Sequence, residues 1–138
     1  MFFPESIERA ENVTRLLDVT FHALLDSQTS DREDAWHRLV VMLGAEAEYL
    51  EHHDRYDAAS VTDWLLWHDG NPTAVVACVT LARENARAVR EQISNEMWEA
   101  INNLFLLVRS APRASVSRGP HAFFEQVRNG SHLFQGTA

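Results

Sequence analysis

The stretch PTAVVACVTLARENARAVREQISNEMWEAINNLFLLVR, from Pro72 to Arg109, has no glycine or proline after its first residue and keeps one apolar lane throughout. Val75, Val79, Ala82, Ala86, Val89, Ile93, Met97, Ile101, Leu104 and Val108 recur at steps of three and four, the spacing that stacks side chains on one face of an α-helix. Arg83, Arg87, Arg90 and Ser94 flank the lane, with Glu84, Glu91, Asn95 and Asn102 beside them. The pattern predicts a long helix as the spine of an all-α fold. Run straight, its 38 residues would span about 57 Å. A compact domain of this size is only roughly 37 Å across. The spine therefore either breaks near Ser94 and Asn95, which are weak helix formers, or projects under the cover of a partner.

Upstream, Pro4 with Glu5 and Glu8 behind it opens a helix that runs to about Leu25. Ile7, Ala10, Val13, Leu17, Phe21 and Leu24 form its apolar lane, while Glu8, Glu11, Arg15, Asp18 and His22 line another face. That stripe reads as a solvated surface with local pairs such as Glu11 with Arg15, each worth about 0.2–0.5 kcal/mol. Ser30-Asp31-Arg32-Glu33 has the form of a capping box and starts a second helix, which ends before Gly44 and buries Ala35, Trp36, Leu39, Val40 and Leu43. A short helix is expected around Glu46 to Asp54. It carries much of the ligand-rich cluster Glu48, Glu51, His52, His53, Asp54 and Asp57. Glu48 and His52 share a helical face, which is compatible with a metal. The chain has no HExxH and no Glu-x-x-His pair, however, so the cluster reads as hydrated acidic surface, and no metal or cofactor is expected.

Asp57 caps a helix from Ala58 to His68, whose Trp64 and Trp67 read as core. The turn His68-Asp69-Gly70-Asn71 breaks it, and Asn71 and Pro72 serve as the cap and first residue of the spine. Beyond the spine, Ala111 to Gly119 reads as a loop. A short helix then carries Phe123, Phe124 and Val127 to a stop at Gly130, and a new start at Ser131 leaves Leu133 and Phe134 with too little helix to bury them.

With 138 residues, 46% of them hydrophobic, the chain is expected to fold as one domain, residues 1–138, without metal or disulfide staples. A net charge of −8 argues against nucleic-acid and anionic-membrane surfaces, so the partners expected are proteins, peptides or cations. All 12 basic residues are arginine, which excludes a Schiff-base or P-loop lysine and leaves planar donors suited to carboxylates. The single cysteine, Cys78, lies one step from the apolar lane and reads as a buried, inert thiol. The longest apolar runs fall far short of a membrane span, and no basic stretch precedes Phe2 and Phe3 as a signal peptide would require, so the expected location is cytoplasmic. No nucleophile elbow, P-loop, dinucleotide fingerprint or zinc spacing occurs.

Three stretches together resemble the bacterial alpha-E family: IERAENVTRLLDV (Ile7 to Val19), NPTAVVACVTLARENARAVREQISNEMWEAIN (Asn71 to Asn102) and FFEQVRNGSHLFQG (Phe123 to Gly136). The resemblance implies an all-helical fold in a peptide-modifying context, because family members are encoded beside or fused to circularly permuted ATP-grasp amide ligases and transglutaminase-like peptidases. Carried over by position, the family's charged signature falls on Glu8, Arg9, Glu11 and Arg15 of the first helix and on Arg83, Glu84, Asn85, Arg87, Arg90 and Glu91 of the spine. FFPES stands where the family has a longer apolar start, and the chain resembles the family's first half.

The expectation is an all-α bundle of about six helices organised around one long helix, acting as an accessory or peptide-binding module of an ATP-grasp ligase. Two alternatives stand beside it: an enzyme using Glu8, Glu11, Glu84 or Glu91 as acid and base with arginines as anion clamps, and a truncated structural or interaction fragment. The first helix is expected to set Glu11 and Arg15 against Glu84 and Arg87. Phe123, Phe124, Leu133 and Phe134, together with the far half of the spine, are the surface expected to form a homodimer, which would supply the missing half by symmetry.

Overall fold

The computed structural model describes residues 2–25, 28–118 and 120–137; the side chains of Phe2, Phe3, Pro4, Thr29, Ser30, Ser115, Ser117 and Arg118 lie outside that description. Every regular element among the described residues is helical. The elements are α1 (Phe2–Ala23), α2 (Thr29–Met42), α3 (Glu46–Leu50), α4 (Ala58–Leu66), α5 (Val75–Ala88), α6 (Asn95–Ser110), α7 (Arg113–Arg118) and α8 (Pro120–Thr137). No helix among the described residues is long and apolar enough to cross a membrane.

The spine is two helices, not one long one. α5 ends at Ala88, a 3-10 turn spans Arg90–Gln92, and Ile93 and Ser94 are extended before α6 begins. Ser94 is the cap of α6, its Oγ accepting a hydrogen bond from the Met97 amide at 3.0 Å. Serine satisfies a helix N-terminus better than it continues a helix, and the β-branched Val89 and Ile93 flank the break. Helices of 14 and 16 residues run about 21 and 24 Å, so both fit inside a globule that one straight helix would leave. The apolar lane holds on each side of the break: Val75, Val79, Ala82, Ala86, Met97, Ile101, Leu104 and Val108 are buried, whereas Val89 and Ile93 at the bend are half-buried.

Four helices close a ring in which α1 packs on α5, α5 on α6, α6 on α8 and α8 back on α1. α2, α3 and α4 lie to one side, with α2 and α4 reaching α1. Trp36, Tyr49, Trp64 and Trp67 are buried, and Trp67 Nε1 donates to the Val108 carbonyl of α6 at 3.0 Å. The α2 boundary differs from the capping-box expectation: Gln28 is the N-cap and forms no side-chain cap bond, while the Ser30 side chain falls outside the described set. The far end of α2 ends as expected before Gly44, whose φ of 70° is the left-handed conformation that glycine adopts without strain. The amides of Gly44 and Ala45 turn back to the carbonyls of Val41 and Val40, closing the helix end. Asp57 caps α4 through the Ser60 amide at 2.8 Å, as its sequence position suggested. Asn71 caps a turn ahead of the spine, binding Thr73 with its Oδ1 and donating Nδ2 to the Trp64 carbonyl, so α5 starts three residues later than Pro72.

The C-terminal region departs most from expectation. Part of the expected loop, Arg113–Arg118, is helical, and Val116 is buried. α8 runs unbroken through Gly130 and Ser131. A Cβ on Gly130 would stand 3.0 Å from Leu104 Cδ1, so the glycine lets α8 approach α6 closely and does not end the helix. The extra turns carry Phe134 into the core, where Phe123 and Phe124 already lie. Three of the four residues assigned to a homodimer interface therefore serve the chain's own core; Leu133, 60% exposed, is the exception.

Candidate functional site

The charged stripe of α1 is solvated only in part: Glu8, Arg15 and His22 are exposed, and the expected Glu11–Arg15 pair forms, but the surroundings of the stripe's two other carboxylates differ. Glu11 and Asp18 are each only 7% exposed, because the face that carries them turns toward α8. α8 meets it with its own stripe, His121, Glu125, Arg128 and His132, spaced four, three and four residues apart. The α1 residues Glu11, Arg15, Asp18 and His22 have the same spacing, and the two helices run antiparallel, so the stripes face each other in reverse order. Glu11 Oε1 accepts from Arg15 Nη2 at 2.9 Å and from His132 Nε2 at 2.8 Å. Two turns along, Asp18 Oδ2 accepts from Arg128 Nη1 at 2.7 Å. Its Oδ1 lies 3.2 Å from His121 Nδ1 and 3.3 Å from His22 Nδ1. His22 Nδ1 also donates to the Asp18 backbone carbonyl at 2.9 Å.

A carboxylate removed from water is stable only when its lone pairs are taken up. Burial by itself would raise the Asp18 carboxyl, but the hydrogen bonds and positive charge of Arg128 and His121 outweigh it and hold the group below its ordinary value. Elsewhere, burial pushes the Tyr49 phenol up, and its hydroxyl donates to the Arg55 carbonyl. Burial also raises the Cys78 thiol despite the charge of Arg9, which leaves a protonated, unreactive sulfur.

The ten residues singled out by the charged signature do not converge. Glu8 and Arg9 are exposed, and Glu11 and Arg15 belong to the α1–α8 seam. Arg83 turns instead toward α6: its Nε donates to Asn102 Oδ1 at 2.9 Å, and its guanidinium lies 4.6 Å from the Phe105 ring centroid and 5.6 Å from that of Trp98. Its other link is to the neighbouring Glu84 at 3.4 Å. Arg90 donates to Asn95 Oδ1 at 2.6 Å and also lies over Trp98. Arg87 and Glu91 are exposed, and Asn85 is half-buried. The expected meeting of Glu11 and Arg15 with Glu84 and Arg87 is absent, because α1 presents its apolar lane to the bundle and turns its charges sideways to α8.

In the Glu48 to Asp57 region, the rings of His52 and His68 approach to 4.5 Å between centroids and pack against Trp64. Among the described residues, the three metal-ligating side chains whose atoms gather within 4.8 Å are instead Asp18, His22 and His121. Beside α5, two open depressions of about 490 and 310 Å³ share Asp69, Val76 and Thr80. Glu84 borders the first, while Trp67, Phe105, Arg109 and Arg113 line the second.

The sequence model of Alpha-E, described as a predicted alpha-helical domain with a conserved ER motif, matches residues 6–138. The chain belongs to the Alpha-E family. Its Glu-Arg dipeptide is Glu8–Arg9, on the exposed side of α1 next to the seam. The Alpha-E chain is also similar to an uncharacterised protein of Mycobacterium bovis, with 33% identity over 110 residues, and to one of Mycobacterium tuberculosis at the same identity and length. In both cases the similarity covers 70% of this chain but 12% of the relative. No solved structure matches.

His121, Arg128 and His132 do not stand out in the amino-acid order. The repeated four-three-four spacing was a usable signal, but a helix stopping at Gly130 puts His132 outside the stripe and hides it.

Proposed function

We propose that this Alpha-E chain is a helical accessory module of an amide-forming ATP-grasp ligase system, which docks a peptide or the ligase itself and has no chemistry of its own. The observation that carries this reading is the dispersal of the candidate acid and base groups. Glu11 is held by Arg15 and His132 inside a helix seam, Glu8 and Glu91 face solvent, and Glu84 lies on another helix against Arg83. General acid–base catalysis needs such groups within reach of one reacting atom. The lengths of the mycobacterial relatives also fit, since a stretch covering 12% of a longer protein is what a module joined to other functions leaves behind.

The docking surface proposed is the α5 flank. Trp67 and Phe105 provide an apolar floor there, and Arg109 and Arg113 stand over those rings within 5.6 Å of their centroids. Arg113 Nη1 already reaches Asp63 Oδ1 at 3.3 Å, so the donors offered to a carboxylate, the group that a peptide presents at its terminus, are those of Arg109 and the remaining ones of Arg113. The test is calorimetric titration of the chain into an ATP-grasp ligase of the same genome, with ligase turnover followed in parallel. A complex of micromolar affinity or better, weakened at least about tenfold by the double substitution Arg109→Ala and Arg113→Ala, is the expected result. If no complex forms and turnover does not change, the accessory role is wrong. Turnover by the isolated chain that Glu84→Gln abolishes would establish the enzyme reading instead.

A further inference from the structure

The seam between α1 and α8 holds a set of side chains that neither helix carries alone. Asp18 and His22 lie one turn apart on α1, and His121 comes from α8. The Asp18 Oδ1 to His121 Nδ1 and His22 Nδ1 separations are 3.2 and 3.3 Å. These are longer than the 2.8 Å of the neighbouring Glu11–His132 hydrogen bond. They match the edge of a tetrahedron with metal–ligand bonds of about 2.0 Å, which is about 3.3 Å. The two rings meet edge to face with centroids 5.2 Å apart.

We propose that Asp18, His22 and His121 form a binding site for a divalent transition ion of the zinc class, bridging the first and last helices of the bundle. Two imidazole nitrogens and one carboxylate oxygen favour zinc, cobalt, nickel or copper over magnesium and calcium, which take oxygen donors. The surroundings are arranged as ligand support. Arg128 engages Oδ2 of Asp18 and leaves Oδ1 facing the rings. Glu125 Oε2 stands 3.5 Å from His121 Nε2, where a carboxylate orients a metal-bound imidazole. Binding displaces the Nδ1 protons of the two rings, and with them the hydrogen bond from His22 to the Asp18 carbonyl. His22 and His121 side chains are 56% and 58% exposed, so the ion reaches the site from solvent and its fourth position is open to water. The expectation of no metal came from helix spacing within single segments, where two of these ligands are the most that one helix offers.

Cobalt(II) is the probe: titrated into the full chain after chelator treatment, it reports site geometry through its visible d–d bands, and zinc is then added in competition. Saturation at one equivalent with the intense bands of tetrahedral coordination is expected, together with displacement by zinc and a melting temperature that rises with zinc concentration. His22→Ala and His121→Ala should each weaken binding at least about tenfold, the loss seen even for indirect contacts at metal sites. His132→Ala, at the neighbouring pair, should bind as the unaltered chain does. Both substituted rings of the site lie at the surface, and circular dichroism checks that the variants fold. The proposal is overturned if no stoichiometric binding is seen. It is equally overturned if binding survives in both His22→Ala and His121→Ala but is lost in His52→Ala or His68→Ala, which would place the ion at the other histidine cluster.

Discussion

At the α1–α8 seam, buried carboxylates meet cationic and imidazole groups from the facing helix, whereas at the α5–α6 seam the arginines lie over aromatic rings and neutral amides. Both seams are polar edges of one four-helix ring, yet they solve different problems. A buried carboxylate is stable only with donors in particular directions. Glu11 and Asp18, two turns apart, each require a matching group on α8, and a slide of α8 along α1 would strand both. Arg83 makes weaker demands, because its aliphatic stem and planar head pack on Trp98 and Phe105 while its ends stay near solvent. We hypothesise that the first seam sets the register of the bundle and that the second mainly adds contact area.

The comparison breaks first if α8 does not reach the seam as described. Phe134 is fully buried beyond Gly130, so Phe134→Ala should lower stability by about 3–5 kcal/mol in a denaturant melt. A loss under about 1 kcal/mol would mean that the last turns of α8 do not pack and that His132 does not hold Glu11.

The next effect in size concerns the pair Asp18–Arg128. Removing the guanidinium leaves a buried carboxylate with imidazole partners only, so Arg128→Ala should lower stability by about 2 kcal/mol. Acid sharpens the test. The Asp18 carboxyl sits below its ordinary value of 3.8 in the folded chain, so its contribution is fully present above that value and fades as pH falls through the lowered folded one. Below about pH 4, the gap in stability between the unaltered chain and Arg128→Ala should close. A gap that persists unchanged to pH 2 would assign the loss to packing of the Arg128 stem and not to charge.

The smallest effects belong to the second seam. Arg83→Ala should cost about 1 kcal/mol by removing its stacking on Phe105 and its bond to Asn102. Arg87→Ala, at an exposed position of the same helix, should change stability by less than about 0.5 kcal/mol. If Arg83→Ala proves as damaging as Arg128→Ala, the two seams carry equal weight and the proposed division between them fails.

Helix positions and buried faces were legible in the amino-acid order, because both follow from periodicity along a single segment. The lane from Val75 to Val108 buries its regular part, Asp57 caps α4, Trp64 and Trp67 lie in the core, and the strain-free turn after α2 falls at Gly44. The break at Ser94 was among the outcomes that chain length and domain diameter allowed, but which side of that choice holds depends on α5 and α6 finding each other. Gly130 shows the limit most clearly. Read locally it ends a helix, and only the nearness of Leu104 on α6 shows that it is there to let two helices touch.

The candidate site depended on tertiary structure for the same reason. Glu11, Asp18 and His22 stood out on one stripe, but whether that stripe faced water or another helix could not follow from its own spacing. A buried carboxylate is defined by what lies across from it, and His121, Arg128 and His132 lie more than a hundred residues away in the chain. Periodicity within a helix records which face is apolar; the partner that meets its polar edge is chosen when the ring closes.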